Sequence, residues 1–157
     1  MNKIQLNNQS GLTIIEIMIA VSVVVVLAAL SFQVFNVFIK RQALDKDTQK
    51  IVSMLKEARS ATLASRANSV YGVHFVATRT VMFKGTVFIE SDSNNRELSL
   101  NPRVQITATN LNGGGSDIIF DRLTGATDQY GSVTLSLVAS TSITKIISIE
   151  ETGIVEF

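Results

Sequence analysis

Cysteine and tryptophan are absent from this chain of 157 residues, and proline and histidine occur once each, at Pro102 and His74. Without cysteine there is no disulfide and no thiolate metal site, so packing and polar contacts alone must hold the fold. A single histidine with no cysteine beside it leaves no set of partners from which to build a metal centre or a nucleophile–base pair. His74 lies between Val73 and Phe75 in a strand-like run and reads as a structural polar position. The net charge of +1 gives no bulk electrostatic pull towards nucleic acid or an acidic partner.

Other chemistries fail on spacing. Gly113, Gly114 and Gly115 lack the Gly-Lys-Ser/Thr ending of a phosphate loop, and no nucleophile-elbow sequence occurs. Asp117, Asp121 and Asp128 do not follow the alternating-ligand pattern of a calcium loop. The chain therefore reads as a non-enzyme with no catalytic residue, no cofactor and no metal.

What is present is a long apolar segment placed unusually early. A polar stretch, 1–11, ends in Ser10-Gly11 and is followed by Leu12-Thr13-Ile14-Ile15-Glu16 and an apolar run to Phe32. At ~1.5 Å per residue, Leu12 to Phe32 is roughly 31 Å of helix, the depth of a bilayer core. Val23 to Val26 are poor helix formers in water, but in lipid the backbone must satisfy itself and helix prevails. An ordinary secretory signal has its cleavage site after the apolar core. Here the candidate site, Gly11-Leu12, precedes it, so cutting would leave the apolar segment on the mature chain. Lys3 flanks one side of the segment and Lys40 and Arg41 the other, so charge does not set the orientation.

Glu16 stands among these apolar residues as a lone carboxylate. At bilayer depth such a charge costs about 2.5–3.5 kcal/mol. Thr13-x-x-Glu16 fits a capping box at a helix start. Capping does not account for the polar leader, the glycine and the apolar run together.

No glycine or proline interrupts Leu12 to Ala67, which predicts one helix from about Thr13 to about Arg66. Its first half is apolar all round. In its second half Val37, Leu44, Ile51, Leu55, Ala58 and Thr62 recur at helical spacing, with Arg41 and Thr48 between them. Lys40, Asp45, Lys46, Asp47, Lys50, Lys56, Glu57 and Arg59 fill much of the remainder. After Asn68, short β-rich runs alternate with turn chemistry: 70–77, 80–83, 86–90, 97–100, 103–107, 117–120, 132–138, 144–150 and 153–157. The expected fold is α+β, a long N-terminal helix whose amphipathic second half packs on a C-terminal antiparallel β-sheet or sandwich head. The expected segments are 1–11 leader, 12–33 transmembrane or filament-core helix, 34–67 amphipathic extension and 68–157 β-rich head.

The stretch Gly11 to Val21 resembles the N-terminus of type IV pilins and type II secretion pseudopilins. That resemblance implies cleavage after Gly11 by a prepilin peptidase and N-methylation of Leu12. It implies that the carboxylate of Glu16 sets filament register by meeting the new amine of a neighbouring subunit. Expected partners are other pilin or pseudopilin subunits, the peptidase, an inner-membrane assembly platform and membrane lipid. The expected location is the bacterial inner membrane, single-pass, with the head in the periplasm or outside, and a filament after assembly. Many major pilins carry a helix-kinking proline in this segment, and this chain has none, which favours a minor role.

Ile118 to Gly125 and Ile146 to Phe157, with Thr152-Gly153-Ile154-Val155, look similar to the H-type minor pseudopilin and to fimbrial minor pilins of the T and U kinds. Two alternatives stand beside this reading. One is a DNA-uptake minor pilin, although Arg66, Arg79, Lys84, Arg96, Arg103, Arg122 and Lys145 are scattered and nucleic acid is not an expected partner. The other is a signal-anchored β domain that never polymerises.

Overall fold

A computed structural model describes residues 11–157, with residues 30–37 by their backbone alone. The expected leader lies outside the described residues except for Gly11, as do the side chains of Phe32, Val34 and Val37. The chain divides into two compact units, Met1–Phe38 and Ile39–Phe157.

Helix α1 runs from Ile14 to Leu63 without a break in its assignment. It stops short of the expected Arg66 because Ser65 (φ 49°), Ala67 (φ 50°) and Asn68 (φ 54°) turn left-handed. Such a conformation is unfavourable by about 1 kcal/mol or more for a residue with a Cβ, so it needs outside support. Arg122 supplies it, donating from Nε to Ser65 Oγ at 3.2 Å and from Nη2 to Asn68 Oδ1.

Eight strands follow: β1 (Tyr71–Val76), β2 (Arg79–Lys84), β3 (Arg96–Ser99), β4 (Val104–Leu111), β5 (Asp117–Ile119), β6 (Gly131–Leu137), β7 (Ser140–Ile149) and β8 (Val155–Glu156). They form two four-stranded sheets, ordered β3-β2-β1-β5 and β4-β6-β7-β8. Every pairing is antiparallel. The α+β expectation is met, with two sheets where one sheet or a sandwich was expected.

The run 86–90 is not a strand. A hairpin after Gly85 would return along β2, but β3 already occupies that edge, with Arg79 opposite Ser99 and Met82 opposite Arg96. The segment is instead fixed by side chains. Phe88 stacks on His74 with ring centroids 4.0 Å apart. Glu90 Oε1 accepts from Arg79 at 2.6 Å, and Asn95 Nδ2 donates to Ile89 O at 2.8 Å. Phe88 also meets the edge of Phe83 at 5.6 Å, so the loop roofs the face of β2 that points away from α1. Gly72 leaves room for this layer, because a Cβ there would lie 2.5 Å from Phe83 Cζ.

The core of the second unit is one apolar cluster. Leu44, Ile51, Val52, Met54, Leu55, Ala58 and Ala61 of α1 join Val73, Phe75 and Met82 of one sheet and Val104, Ile106, Val133, Leu135, Leu137, Ile147, Ile149 and Val155 of the other. The helical stripe predicted from Leu44 to Thr62 is therefore the buried face. Its two threonines are satisfied locally: Thr48 Oγ1 donates to Leu44 O at 2.8 Å, and Thr62 Oγ1 accepts from Tyr71 N–H at 2.8 Å.

Asp47, one of the charges that fill the helix beside the stripe, is buried with it. It is 2% exposed. Its Oδ2 accepts from the Asn101 N–H at 2.6 Å and its Oδ1 from Lys50 Nζ at 3.0 Å. It ties the turn before β4 to the helix. Two ion pairs complete the seating of α1 on the sheets: Lys145 of β7 with Asp45 at 3.0 Å and Arg96 of β3 with Glu57 at 2.5 Å. The hydrogen bonds from Arg96 hold the Glu57 carboxyl below its ordinary range, against the opposing effect of partial burial. A depressed folded value means that this pair stabilises the fold above the ordinary carboxyl range and lets go as the pH falls through the folded value.

Replacing Asp47 by alanine leaves the half-buried Asn101 N–H without its acceptor and Lys50 without its ion pair. The expected loss is about 2–3 kcal/mol, by the penalty for a donor left unsatisfied. Lys50→Ala removes only the half-exposed partner and should cost under about 1 kcal/mol. Thermal unfolding of the detergent-solubilised chain, followed by circular dichroism, separates the two; equal losses contradict the assignment.

Candidate functional site

Two regions carry the residues singled out by sequence. The first is the start of α1. Gly11, Leu12 and Thr13 precede the helix in an exposed, irregular stretch, and an added Cβ on Gly11 would meet nothing within 4 Å. Thr13 begins the helix: its carbonyl accepts from Ile17 N–H at 3.2 Å, and its Oγ1 accepts from Glu16 N–H at 3.3 Å. That is the half of the capping box in which the cap hydroxyl serves the helix. Ser22 Oγ returns to Met18 O at 2.7 Å, so the hydroxyl inside the apolar run is satisfied within its own helix.

Leu12, Ile14, Ile15, Ile17, Met18, Ile19, Val21 and Val23 to Leu27 are 51–80% exposed. This is apolar surface on every side of the helix, far beyond the few hundred Å² that a soluble chain leaves uncovered without function. Glu16 sits within it, and among the described residues no basic side chain pairs with its carboxylate. The expected span, Leu12 to Phe32, runs past Ala29 into residues whose side chains are not described. Among the described residues no helix is long and apolar enough to cross a membrane.

The second region unites the two glycine motifs of the head, which lie far apart in sequence. Gly125 (φ 67°) ends a tight turn, its N–H donating to Asp121 O at 2.9 Å, while Asp121 N–H donates to Ala126 O at 2.8 Å. Gly153 (φ 76°) closes the β7–β8 turn by donating to Glu150 O at 2.8 Å. The two turns touch: a Cβ on Gly153 would sit 1.9 Å from Gly125 O. Thr127 N–H donates to Glu151 O at 2.9 Å beside them. Arg59 of α1 spans both, donating from Nε to Gly125 O at 2.9 Å and from Nη2 to Thr152 O at 3.2 Å. Sequence reading placed Arg59 only among the charges beside the apolar stripe. Only the meeting of two distant turns reveals its role, and no local pattern marks it.

The cations of the head are spread out, and several are engaged. Arg79 pairs with Glu90 and Glu97, Arg96 with Glu57, and Lys145 with Asp45. Glu90 first, then Glu97, raises the Arg79 guanidinium above its ordinary value. Asp92 is held below the usual carboxylate range by the N–H and then the side chain of Asn94. His74 Nδ1 contacts Asp117 Oδ1 across the β1–β5 pair, so the lone histidine is a cross-strand structural contact. Among the described residues no cluster of histidine and carboxylate side chains suits a metal ion.

Residues 6–32 match the family model described as the prokaryotic N-terminal methylation motif, which supports a type IV pilin-like precursor. No curated protein and no solved structure matches the chain.

Gly153→Ala drives a Cβ into a carbonyl and also imposes a left-handed backbone on alanine. It should cost on the order of 3 kcal/mol. Gly125→Ala meets its nearest atom, Arg59 Nε, only at 3.0 Å and should cost about half as much. Thermal melts of the two variants give the order; Gly125→Ala as the more damaging change would refute the contact.

Proposed function

We propose that this chain is a minor pilin or pseudopilin, a structural subunit of a type II secretion pseudopilus or type IV pilus. The observation that carries the proposal is the uncovered apolar surface from Leu12 to Leu27 with Glu16 as the one acid inside it. Each such aliphatic side chain gains on the order of 1 kcal/mol when covered. The surface therefore demands lipid before assembly and neighbouring helices after it. Gly11 and Leu12 are the processing pair: a prepilin peptidase cuts between them and the new amine of Leu12 is methylated. The exposed, irregular stretch at Gly11 to Thr13 suits access by a peptidase.

Glu16 then acts as the register residue. Its carboxylate meets the Leu12 amine of a neighbouring subunit, so two charges that are each unfavourable in an apolar bundle neutralise each other at one axial offset only. Fixing register is the best-attested use of a buried ion pair. Packing and polar pairing between helices replace lipid contacts when the subunit leaves the inner membrane through the assembly platform. The head is presented outside the cytoplasm.

The closer likeness is to the H-type minor pseudopilin and the T and U kinds of fimbrial minor pilin. Its support is the joining of the Ile118–Gly125 and Ile146–Phe157 motifs under Arg59, in a head without cysteine.

Intact mass of membrane-extracted protein tests the processing step: residues 1–11 should be missing and one methyl group gained. Gly11→Lys should leave an uncut, membrane-bound precursor. Glu16→Ala should be cut normally yet enter sheared filaments at about a tenth of the wild-type level or less, the effect of losing roughly 1.4 kcal/mol or more of pairing. Normal incorporation of Glu16→Ala rules out the register role, and retention of Met1 in native material rules out the family reading.

A further inference from the structure

Each of the two sheets leaves two edge strands, and an unprotected edge invites another strand. Three of the four are guarded. Along β3, Arg96 and Glu97 are exposed charges in ion pairs with Glu57 and Arg79. The outer edge of β5 is closed by a side chain, Gln129 Oε1 accepting from Ile119 N–H at 3.1 Å. On β4, Ile106 N–H donates to Ala77 O at 2.9 Å, in the turn between β1 and β2.

Strand β8 is closed on its outer side by no hydrogen bond from another element, and its one exposed charge, Glu156, is in no ion pair among the described residues. It pairs with β7 on one side only, Val155 opposite Ile149 and Glu156 opposite Ser148. The strand itself is short, with Val155 buried and Glu156 exposed, and the residues that flank it, Ile154 and Phe157, are exposed and apolar. Beside it lies a groove of about 580 Å³ between α1 and the strand, lined by Lys56, Arg59, Ser60, Leu63 and Gly153–Glu156. Lys56 and Arg59 have no carboxylate partner among the described residues, and Glu156 in the same groove pairs with neither. Arg59 is held in place by two carbonyls, so its charge is fixed at the groove without being neutralised.

We propose that the free edge of β8 and this groove form a docking site for an extended polypeptide segment of another protein, one that carries a carboxylate among apolar side chains. The segment adds a strand to the β4-β6-β7-β8 sheet, its backbone bonding to the outward N–H and C=O groups of β8. Its apolar side chains cover Leu63 and Ile154, and its carboxylate lies by Lys56 and Arg59. Backbone pairing gives affinity in such strand addition and side-chain pockets give selectivity. Because β8 is short, the side-chain contacts must supply much of the selectivity. The site is independent of the N-terminal processing signal and stands or falls without it.

The absence of cysteine supplies a clean reporter. Ser60→Cys, labelled with a fluorophore on the exposed rim of the groove, reports binding to the full chain in detergent micelles. The probes are capped peptides of alternating threonine and valine with one central glutamate, the same peptide with lysine in its place, and the glutamate peptide N-methylated at alternate amides. The glutamate peptide should bind saturably, and the lysine peptide about tenfold more weakly, as expected for one partly buried charge pair. Lys56→Glu should reverse that preference, and N-methylation should abolish binding. No saturable binding, equal binding of both charge forms, or no effect of Lys56→Glu overturns the proposal. A label that answers to added unlabelled chain and not to peptide assigns the edge to a second copy instead, which also overturns it.

Discussion

Neither sheet of the head closes on itself, and each has an inner apolar face that must be covered. The stripe of α1 from Leu44 to Thr62 contacts both, and the buried residues of helix and sheets form one cluster. This shared dependence is the constraint on which the rest rests. A small β domain of this size buries little core on its own. Here part of the core is supplied by a helix whose other residues carry a separate signal. Damage to the stripe would therefore dissolve the head itself, beyond any loss of docking.

An apolar stripe is indifferent to sliding along its own axis, so polar contacts must choose the offset. Asp45 with Lys145, Asp47 with Asn101, Glu57 with Arg96 and Arg59 with the carbonyls of Gly125 and Thr152 do this at four heights on the helix. They differ in strength for a physical reason. The exposed pairs are screened by water and contribute little. Asp47 is buried and bonds to a backbone N–H where solvent competes poorly, so it selects one position firmly, while Arg59 adds two backbone carbonyls at a half-buried site. The same logic of a polar contact choosing register within an apolar interface is what the proposed function asks of Glu16 between subunits.

The start of α1 has the opposite character from the stripe. Its apolar side chains are exposed on all sides, and the hydroxyls of Thr13 and Ser22 are used up locally. Among the described side chains there, the Glu16 carboxylate is the polar group left without a partner. A surface of this kind does not select a partner by detailed shape. It selects an environment, lipid or a bundle of like helices, and leaves specificity to one charge. The head divides the labour differently, with three guarded sheet edges and one open edge beside cations that have no carboxylate partner among the described residues.

Much was legible in residue order alone. Helical spacing marked the stripe at Leu44, Ile51, Leu55, Ala58 and Thr62. The absence of glycine and proline marked one unbroken helix. The step from Gly11 to Glu16 lies within the N-terminal methylation motif matched at 6–32. These features depend on neighbours within a turn or two, and such periodicity survives in one dimension. The remainder rested on contacts between residues far apart. The stretch 86–90 has strand composition but no free edge to join. The turn at Ala77 and Thr78 contains no glycine and is held by N–H groups of Leu100 and Ile106. Asp47 is buried because Asn101 comes to it, and Arg59 matters because two turns, at Gly125 and Gly153, meet beneath it. The alphabet and its local spacing determined which elements form. Which edges were taken, and which charges were enclosed, was decided only when the two sheets closed on the helix.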